Sequence, residues 1–197
     1  MRPFNRLDAP DFLTENWEKW GKEYAARKTA NPSYLFNWKQ HQGQPVNQRL
    51  LPVLREQTQR HCSYCDFFPP RLGDDTIDHF KPKGGTRFYH SAYQWENLYF
   101  YCWHCQKAKG EEFDEALLRP DEPGYSFKRY FIYEADTGEI EVNPAASPEE
   151  KHRAEVTIRL LGFNKEGQSI ARRREFQFFE KQIFDDVNDH AFRFLFE

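Results

Sequence analysis

Two Cys-x-x-Cys pairs constrain this chain more strongly than any other feature. They supply all four cysteines of the sequence, Cys62, Cys65, Cys102 and Cys105. Zinc accepts four thiolates in a tetrahedron, and each Cys-x-x-Cys turn presents two sulfurs at a suitable separation. We therefore predict a structural zinc site, which would contribute on the order of 10 kcal/mol to folding. Redox-active dithiols are the alternative, but no βαβ pattern accompanies the pairs.

Composition limits the remaining possibilities. The chain has 197 residues, of which 39% are hydrophobic and 17% aromatic, so residues 1–197 are expected to form one globular domain. The sequence lacks an apolar run of 18 residues and an apolar N-terminal segment. We therefore expect no membrane partner and a cytoplasmic location, where thiols stay reduced and favour metal over disulfides.

Charge is distributed unevenly along the chain. The net charge of −3 does not by itself indicate nucleic-acid binding. Residues 79–110, however, contain five lysines and arginines against one acid, whereas residues 111–150 contain twelve acids against three bases. A local basic patch of this kind can hold a phosphate even when the whole chain is mildly acidic.

Apolar periodicity divides the domain into three parts. Residues 1–60 are predicted to form N-terminal helices at 11–28 and 46–60. Residues 61–112 hold the cysteine pairs, with strands at 76–80 and 95–101 and a short helix that ends near Gly110. Residues 113–197 are predicted to form a hairpin followed by helices, detailed next.

The C-terminal part carries clear local signals. A hairpin is predicted over 129–142 around Asp136-Thr137-Gly138. Ser147 has the spacing of a capping box, and its helix should end at Gly162. A last helix is predicted over 166–195, on which Arg172, Arg173 and Arg174 favour a solvated face over a DNA contact. Phe192, Phe194 and Phe196 would enter the core or form an exposed docking patch.

The centre of the chain resembles the HNH endonuclease family. The resemblance rests on Cys-x-x-Cys, Ile-Asp-His-Phe-x-Pro-Lys at 77–83, Trp-x-Asn-Leu at 95–98, and a second Cys-x-x-Cys followed by Lys-x-Lys-Gly. It is strongest with the zinc-stabilised HNH nucleases that accompany ATPases in Septu-type and retron-type anti-phage systems. It covers roughly residues 60–165, and the combination is far more specific than any single motif.

The resemblance implies a ββα-metal finger with defined roles. His79 matches the general base, and Asp78 matches the carboxylate that ligates a catalytic Mg²⁺ or Mn²⁺. Asn97 matches the residue that orients the histidine and braces the loop. Three lysines are candidates for contacts to phosphate: Lys81, Lys83 and Lys109.

One family position differs in this chain. The residue after the second cysteine pair is usually His or Asn and ligates the metal, whereas here it is Gln106. A carboxamide oxygen can still coordinate Mg²⁺, so Gln106 remains a candidate ligand, with His104 as a possible substitute. If neither residue coordinates the ion, the metal would be weakly held.

These observations give a leading interpretation and two rivals. The expected fold is α+β, mostly helical, with a central ββα-metal (HNH, His-Me finger) motif stabilised by a four-cysteine zinc site. The expected function is a metal-dependent HNH endonuclease that cuts DNA, as the effector of a bacterial anti-phage system with an ATPase partner. The rivals are a non-catalytic zinc module that binds nucleic acid or protein, with Asp78-His79 as a structural pair, and an RNA-cleaving toxin on the same finger.

Overall fold

Short helices and three small sheets make up the fold. The computed structural model describes residues 1–68, 76–84 and 87–196. The described residues form seven α-helices: α1 Asp11–Thr14, α2 Trp17–Ala30, α3 Val46–Gln57, α4 Trp103–Lys109, α5 Phe127–Tyr130, α6 Pro148–Leu161 and α7 Glu166–Glu180. Three antiparallel strand pairs accompany them: β1 Gln40–His41 with β2 Gln44–Pro45, β3 Thr76–His79 with β4 Leu98–Tyr101, and β5 Phe131–Glu134 with β6 Glu139–Val142. The predicted mixture of helices and small sheets is confirmed.

The N-terminal helix is interrupted where the sequence predicts it to be continuous. The Asn16 side-chain amide donates to the Phe12 carbonyl at 2.8 Å. This local bond competes with the helical backbone ladder, and the helix breaks between α1 and α2. Farther along the chain, α3 ends at Gln57 and keeps Pro52 in its interior. Of the described helices, none is both long and apolar enough to cross a bilayer.

The β3–β4 ribbon lies between two hydrophobic clusters. Its register pairs Thr76 with Tyr101 and His79 with Leu98. Because successive strand residues point to opposite faces, the ribbon contributes to both clusters. Ile77, Leu98 and Phe100 join the N-terminal cluster around α2 and α3, whereas Tyr99 and Tyr101 join the cluster that contains the four cysteines. The second strand begins at Leu98 rather than at residue 95, since Trp95–Asn97 forms a 3₁₀ turn.

The hairpin and the capped helix form as predicted. Gly138 closes the β5–β6 turn at φ +76°, and a Cβ there would lie 2.1 Å from the Ser169 carbonyl oxygen. At the start of α6, Ser147 and Glu150 exchange the two hydrogen bonds of a capping box. Gly162 ends the helix in the left-handed conformation. These signals are local, which is why the sequence locates them correctly.

The last helix is shorter than predicted. It ends at Glu180 instead of continuing to 195, and the chain beyond it turns back with short 3₁₀ segments at Val187–Asp189 and Arg193–Leu195. The reversal buries Phe192 and Phe194 in the cysteine-containing cluster and leaves Phe196 partly exposed. It also brings the Arg193 guanidinium to the buried Asp66 carboxylate at 2.7 Å.

The three consecutive arginines do not all face solvent. Arg173 and Arg174 are exposed, but Arg172 is fully buried. Its guanidinium donates to the Gly138 carbonyl at 2.7 Å and to Asn164 Oδ1 at 3.1 Å. The prediction of a solvated arginine face is therefore wrong for Arg172, because that residue fixes α7 against the β5–β6 turn.

Candidate functional site

The four cysteines lie together in the core. Their sulfurs all lie within 4.8 Å of one another, and the side chains are buried. Cys65 Sγ and Cys102 Sγ are 3.5 Å apart, close to the separation of about 3.8 Å that a zinc tetrahedron with 2.3 Å bonds requires. The Cys102 backbone amide also donates to Cys62 Sγ at 3.3 Å, as expected for a thiolate acceptor. The cluster can thus hold a metal ion such as zinc.

Backbone hydrogen bonds attach the first cysteine turn to the ribbon. Ser63 N donates to the Phe100 carbonyl of β4 at 2.8 Å, and Asp66 N donates to the Cys62 carbonyl at 3.0 Å. The second pair is fixed differently, since Cys102 caps α4 and Cys105 lies inside that helix. The cysteine cluster therefore lies where a bound metal ion would hold α4 against the end of β4.

His79 lies on the face of β3 that belongs to the N-terminal cluster. Its side chain is 1% exposed, and Nε2 lies 2.9 Å from the Ala92 carbonyl oxygen. A carbonyl can only accept, so Nε2 carries the proton and Nδ1 holds the lone pair. Nδ1 is buried without a hydrogen-bond partner in the described part of the chain. The imidazole is therefore fixed in one tautomer with a free acceptor nitrogen.

Two aromatic side chains cover the His79 ring. Trp38 stacks on it with ring centroids 5.7 Å apart and an interplanar angle of 22°, and Phe36 meets it edge-on at 5.3 Å. Both belong to the segment 33–38, in which residues alternate strictly between exposed and half-buried. This extended segment separates His79 from solvent.

Burial and charge keep His79 neutral. Removal of the ring from water is the main cause, followed by the positive charge of Lys83 and then that of Lys109, and together they lower the pKa of His79 to about 3. The ring is therefore an unprotonated base throughout the physiological pH range.

Asp78 points to the opposite face of β3 from His79 and meets α4. Its carboxylate Oδ2 lies 3.7 Å from Lys109 Nζ, and both side chains are buried. Oδ2 makes no hydrogen bond within the described residues. Burial raises the pKa of Asp78 against the opposing effect of Lys109, and burial lowers the pKa of Lys109. Both shifts show that this ion pair is held in poorly solvated surroundings.

Asn97 braces the loop that follows β3. Its Oδ1 accepts from the Lys81 backbone amide at 2.6 Å, and its Nδ2 donates to the carbonyls of Lys81 and Ser91 at 3.1 and 2.9 Å. In addition, Phe80 N donates to the Asn97 carbonyl at 2.9 Å. These bonds connect the end of β3 to the segment before β4, which also contains the Ala92 acceptor of His79.

The two candidate ligands on α4 have different surroundings. Gln106 Nε2 donates to Thr76 Oγ1 at 3.0 Å, on the face of β3 that also carries Asp78. His104 is exposed and packs edge-on against Trp103, away from β3. The structure thus brings Gln106 near the Asp78 face and directs His104 outward. The roles of both residues as ligands remain predictions.

The three candidate phosphate-binding lysines also differ in position. Lys81 Nζ and Lys83 Nζ lie 5.5 and 5.6 Å from the ring centroids of Phe88 and Phe36, respectively. Both lysines are half-buried at the surface, whereas Lys109 is buried against Asp78. A phosphate could therefore reach Lys81 and Lys83 directly.

An oxygen-coordinated divalent ion would find one suitable ligand here. Asp78 Oδ2 is a buried acceptor without a hydrogen bond, and Mg²⁺ is commonly held by one or two carboxylates together with substrate phosphates and waters. The Lys109 ammonium next to it competes for the same carboxylate. The donor set therefore fits an ion whose remaining ligands come from a substrate.

Sequence reasoning missed the residues that surround His79. The alternation of Tyr34, Phe36 and Trp38 is visible in the sequence as an extended segment with one aromatic face, but nothing local indicates that the face covers His79. The Ala92 carbonyl has no sequence signal at all. No protein-family model and no curated protein matches this chain.

Proposed function

We propose that this protein is a metal-dependent endonuclease that hydrolyses phosphodiester bonds in DNA, with β3, β4 and α4 as an HNH-type ββα-metal motif. The observation that carries the proposal is the state of His79. It is a neutral imidazole with one nitrogen hydrogen-bonded to a carbonyl and the other without a partner among the described residues. A general base for water must be unprotonated, and because burial is the main cause of the low pKa of His79, exposure of the ring to water would return that pKa toward the working pH.

Each residue has a definite role in the proposed reaction. His79 Nδ1 accepts the proton of the attacking water, while the Ala92 carbonyl holds the ring in orientation through Nε2. Asp78 would hold the divalent ion, with Gln106 as a candidate further ligand. Because Asp78 and His79 point to opposite faces of β3, the phosphate would have to lie across the end of this strand to reach both the ion and the base. When bound, that ion would act as a Lewis acid and stabilise negative charge on the phosphate oxygens. Lys81 and Lys83 hold the phosphate backbone, and Lys109 shifts from Asp78 toward the substrate.

The covered state of His79 sets a condition on this reaction. Nδ1 is buried and both Phe36 and Trp38 lie against the imidazole, so we infer that water reaches the ring only after these two side chains move. The conformation described here is thus a closed one. We therefore propose that the segment 33–38 moves away from His79 when nucleic acid binds.

The proposed biological setting rests on the motif resemblance alone. It comprises a cytoplasmic location and a role in bacterial anti-phage defence, with an ATPase partner that controls the nuclease. Support comes from the combined motifs between residues 60 and 165. A test is copurification of a tagged chain with an ATPase from its native host, with the Cys62→Ser variant as a misfolded control.

A second candidate function is a non-catalytic zinc-binding module. The contact between Asp78 and Lys109 favours it, since a buried ion pair of this kind can be purely structural. The two functions differ in what His79 does. Replacement of His79 by Ala would leave binding by a module intact but abolish cutting by a nuclease.

The deciding experiment is a cleavage assay with matched variants. Plasmid DNA and tRNA are incubated with the protein in Mg²⁺, in Mn²⁺ and in EDTA. The wild type is expected to cut plasmid in either metal, and His79→Ala to lose at least 100-fold in rate while it retains zinc. His90→Ala is the control, because His90 is exposed. Cleavage of tRNA alone would assign the activity to RNA, and equal cleavage by His79→Ala would refute His79 as the base.

A further inference from the structure

Trp103 is an exposed aromatic side chain on a rigid helix. It is 48% exposed, although it stands directly between the cluster cysteines Cys102 and Cys105. A tryptophan buries some 150–250 Å² when it finds a partner, so its exposure here leaves a large contact area unused. Because the cysteine cluster fixes the start of α4, the indole is presented with little conformational freedom to lose on binding.

The surroundings of Trp103 on α4 are basic. Lys107 Nζ lies 4.5 Å from the indole ring centroid, and the exposed His104 ring lies 5.3 Å away at an interplanar angle of 78°. The helix sequence, Trp-His-Cys-Gln-Lys-Ala-Lys, contains no acid. Proteins that bind single-stranded nucleic acids combine an aromatic ring, on which a base stacks, with a nearby cation that contacts a phosphate.

A neighbouring face of the same helix borders the proposed catalytic site. Gln106 contacts Thr76 there and Lys109 contacts Asp78. Trp103 and Lys109 are six residues apart, or about 9 Å along the helix axis at 1.5 Å per residue. The indole therefore lies near enough to the Asp78 side of α4 for one strand of nucleic acid to contact both.

We propose that Trp103 and Lys107 form a stacking platform for one unpaired base of the nucleic-acid substrate, close to the cleaved bond. This inference rests on the proposed nuclease function and specifies its substrate, which is single-stranded or locally opened at that position. Trp103 stacks on the base, and Lys107 contacts the adjacent phosphate. Neither residue takes part in the chemical step.

Binding measurements in buffer without added Mg²⁺ or Mn²⁺, and without a chelator that would remove zinc, test the platform without cleavage. The probes are a fluorescein-labelled 12-nucleotide single strand and the matching duplex, titrated with protein and followed by anisotropy. Trp103→Ala is expected to weaken single-strand binding by about five- to 150-fold with an unchanged salt dependence, whereas Trp103→Phe keeps most of the affinity. Lys107→Met should lower the salt slope by about 0.7. Ile183→Ala, which truncates another exposed apolar side chain, is the control.

A second readout does not depend on a substitution. When 2-aminopurine is placed at each position of the strand in turn, stacking on Trp103 should quench a single position in the wild-type complex. Uniform quenching, or wild-type affinity in Trp103→Ala, would overturn the platform. The platform would also be refuted if Trp103→Ala lost equal affinity for the single strand and for the duplex. The same holds if Trp103→Ala lost a protein partner while its affinity for nucleic acid was unchanged. If the wild type cuts DNA but Trp103→Ala binds as tightly as the wild type, the platform is refuted and the nuclease proposal is not. If the wild type neither binds nor cuts nucleic acid, both the platform and the nuclease proposal are refuted.

Discussion

The indole of Trp38 stacks on the imidazole of His79, with ring centroids 5.7 Å apart and planes inclined by 22°. The two residues are 41 positions apart in the sequence and belong to an extended segment and a strand, respectively. Since Nδ1 of His79 is buried without a hydrogen bond within the described residues, this contact keeps the proposed base away from water. The contact can be removed without any change to His79 itself.

Trp38→Ala is expected to open the site. The variant should lose on the order of 2–3 kcal/mol of stability, because a half-buried aromatic ring is removed. It should also make His79 react with diethylpyrocarbonate at least several-fold faster, as measured by mass spectrometry of the His79 peptide, and raise the cleavage rate of subsaturating DNA. Trp103→Ala is the control for reactivity. An unchanged modification rate at His79 would show that Trp38 does not cover the ring.

The buried pair of Asp66 and Arg193 should hold the C-terminal segment in place. Arg193 donates to Asp66 from Nη2 and from Nε, at 2.7 and 3.0 Å. Removal of one partner leaves an uncompensated buried charge, so Arg193→Met should cost about 3–5 kcal/mol in chemical denaturation. The exposed pair of Arg87 and Glu115 provides a matched control, and Arg87→Met should change stability by less than about 1 kcal/mol. Equal costs for the two variants would contradict this assignment.

The pair of Asp66 and Arg193 also illustrates which features of the fold cannot be predicted from the sequence. Capping by Ser147 and termination at Gly162 depend on atoms a few residues apart, so the sequence predicts both. The cysteine cluster is also predictable, because the spacing of each pair reports its geometry. By contrast, the packing of the chain reversal after α7 is held by a bond between residues 127 positions apart, which no local pattern reveals. The contacts of Phe36 and Trp38 with His79 cannot be predicted from the sequence for the same reason.

Zinc removal is expected to unfold the centre of the chain. Cys62 and its three partners are buried, and without a metal nothing bonds the four sulfurs of the two turns to one another. Cys62→Ser should therefore yield no soluble folded protein, and treatment of the wild type with a chelator should lower its melting temperature steeply. Zinc content by mass spectrometry and circular dichroism check both outcomes. A well-folded, zinc-free Cys62→Ser variant would exclude a structural metal.

Protonation of Asp121 at low pH is expected to destabilise the protein. Burial raises the pKa of Asp121, but hydrogen bonds from Arg119 and Tyr99 and the charge of Arg6 outweigh it, so the pKa lies below its usual value. Because the unfolded carboxyl titrates near 3.9, the stabilisation is complete above that pH and is lost as pH falls through the lower folded value. Asp121→Asn should be less stable by about 3 kcal/mol at pH 7.

The difference between wild type and Asp121→Asn should then shrink as the pH is lowered below about 4. Urea denaturation between pH 7 and pH 3, with zinc in excess, measures it at each pH. Asp185→Asn, which lies on an exposed part of the chain, controls for general effects of acid. A difference that stays constant down to pH 3 would mean that the Asp121 pKa is not lowered by folding.

Lys109 and a divalent ion should compete for Asp78. The ammonium lies 3.7 Å from the carboxylate, and both groups are buried, so Lys109→Met leaves Asp78 without its positive partner. The variant should be less stable than the wild type by about 3 kcal/mol in buffer without added Mg²⁺ or Mn²⁺. Mn²⁺ should then stabilise the variant more than the wild type, because an ion that binds only the folded state raises stability in proportion to its occupancy.

Melting temperatures in a Mn²⁺ titration measure this competition directly. Lys107→Met is the matched control, because it removes an exposed lysine from the same helix without a contact to Asp78. The control should respond to Mn²⁺ as the wild type does, while Lys109→Met should shift by several degrees more, since about 1 kcal/mol corresponds to some 2–4 °C in a domain of this size. Equal shifts in all three proteins would mean that Asp78 does not hold the ion, and the buried ion pair would then be purely structural.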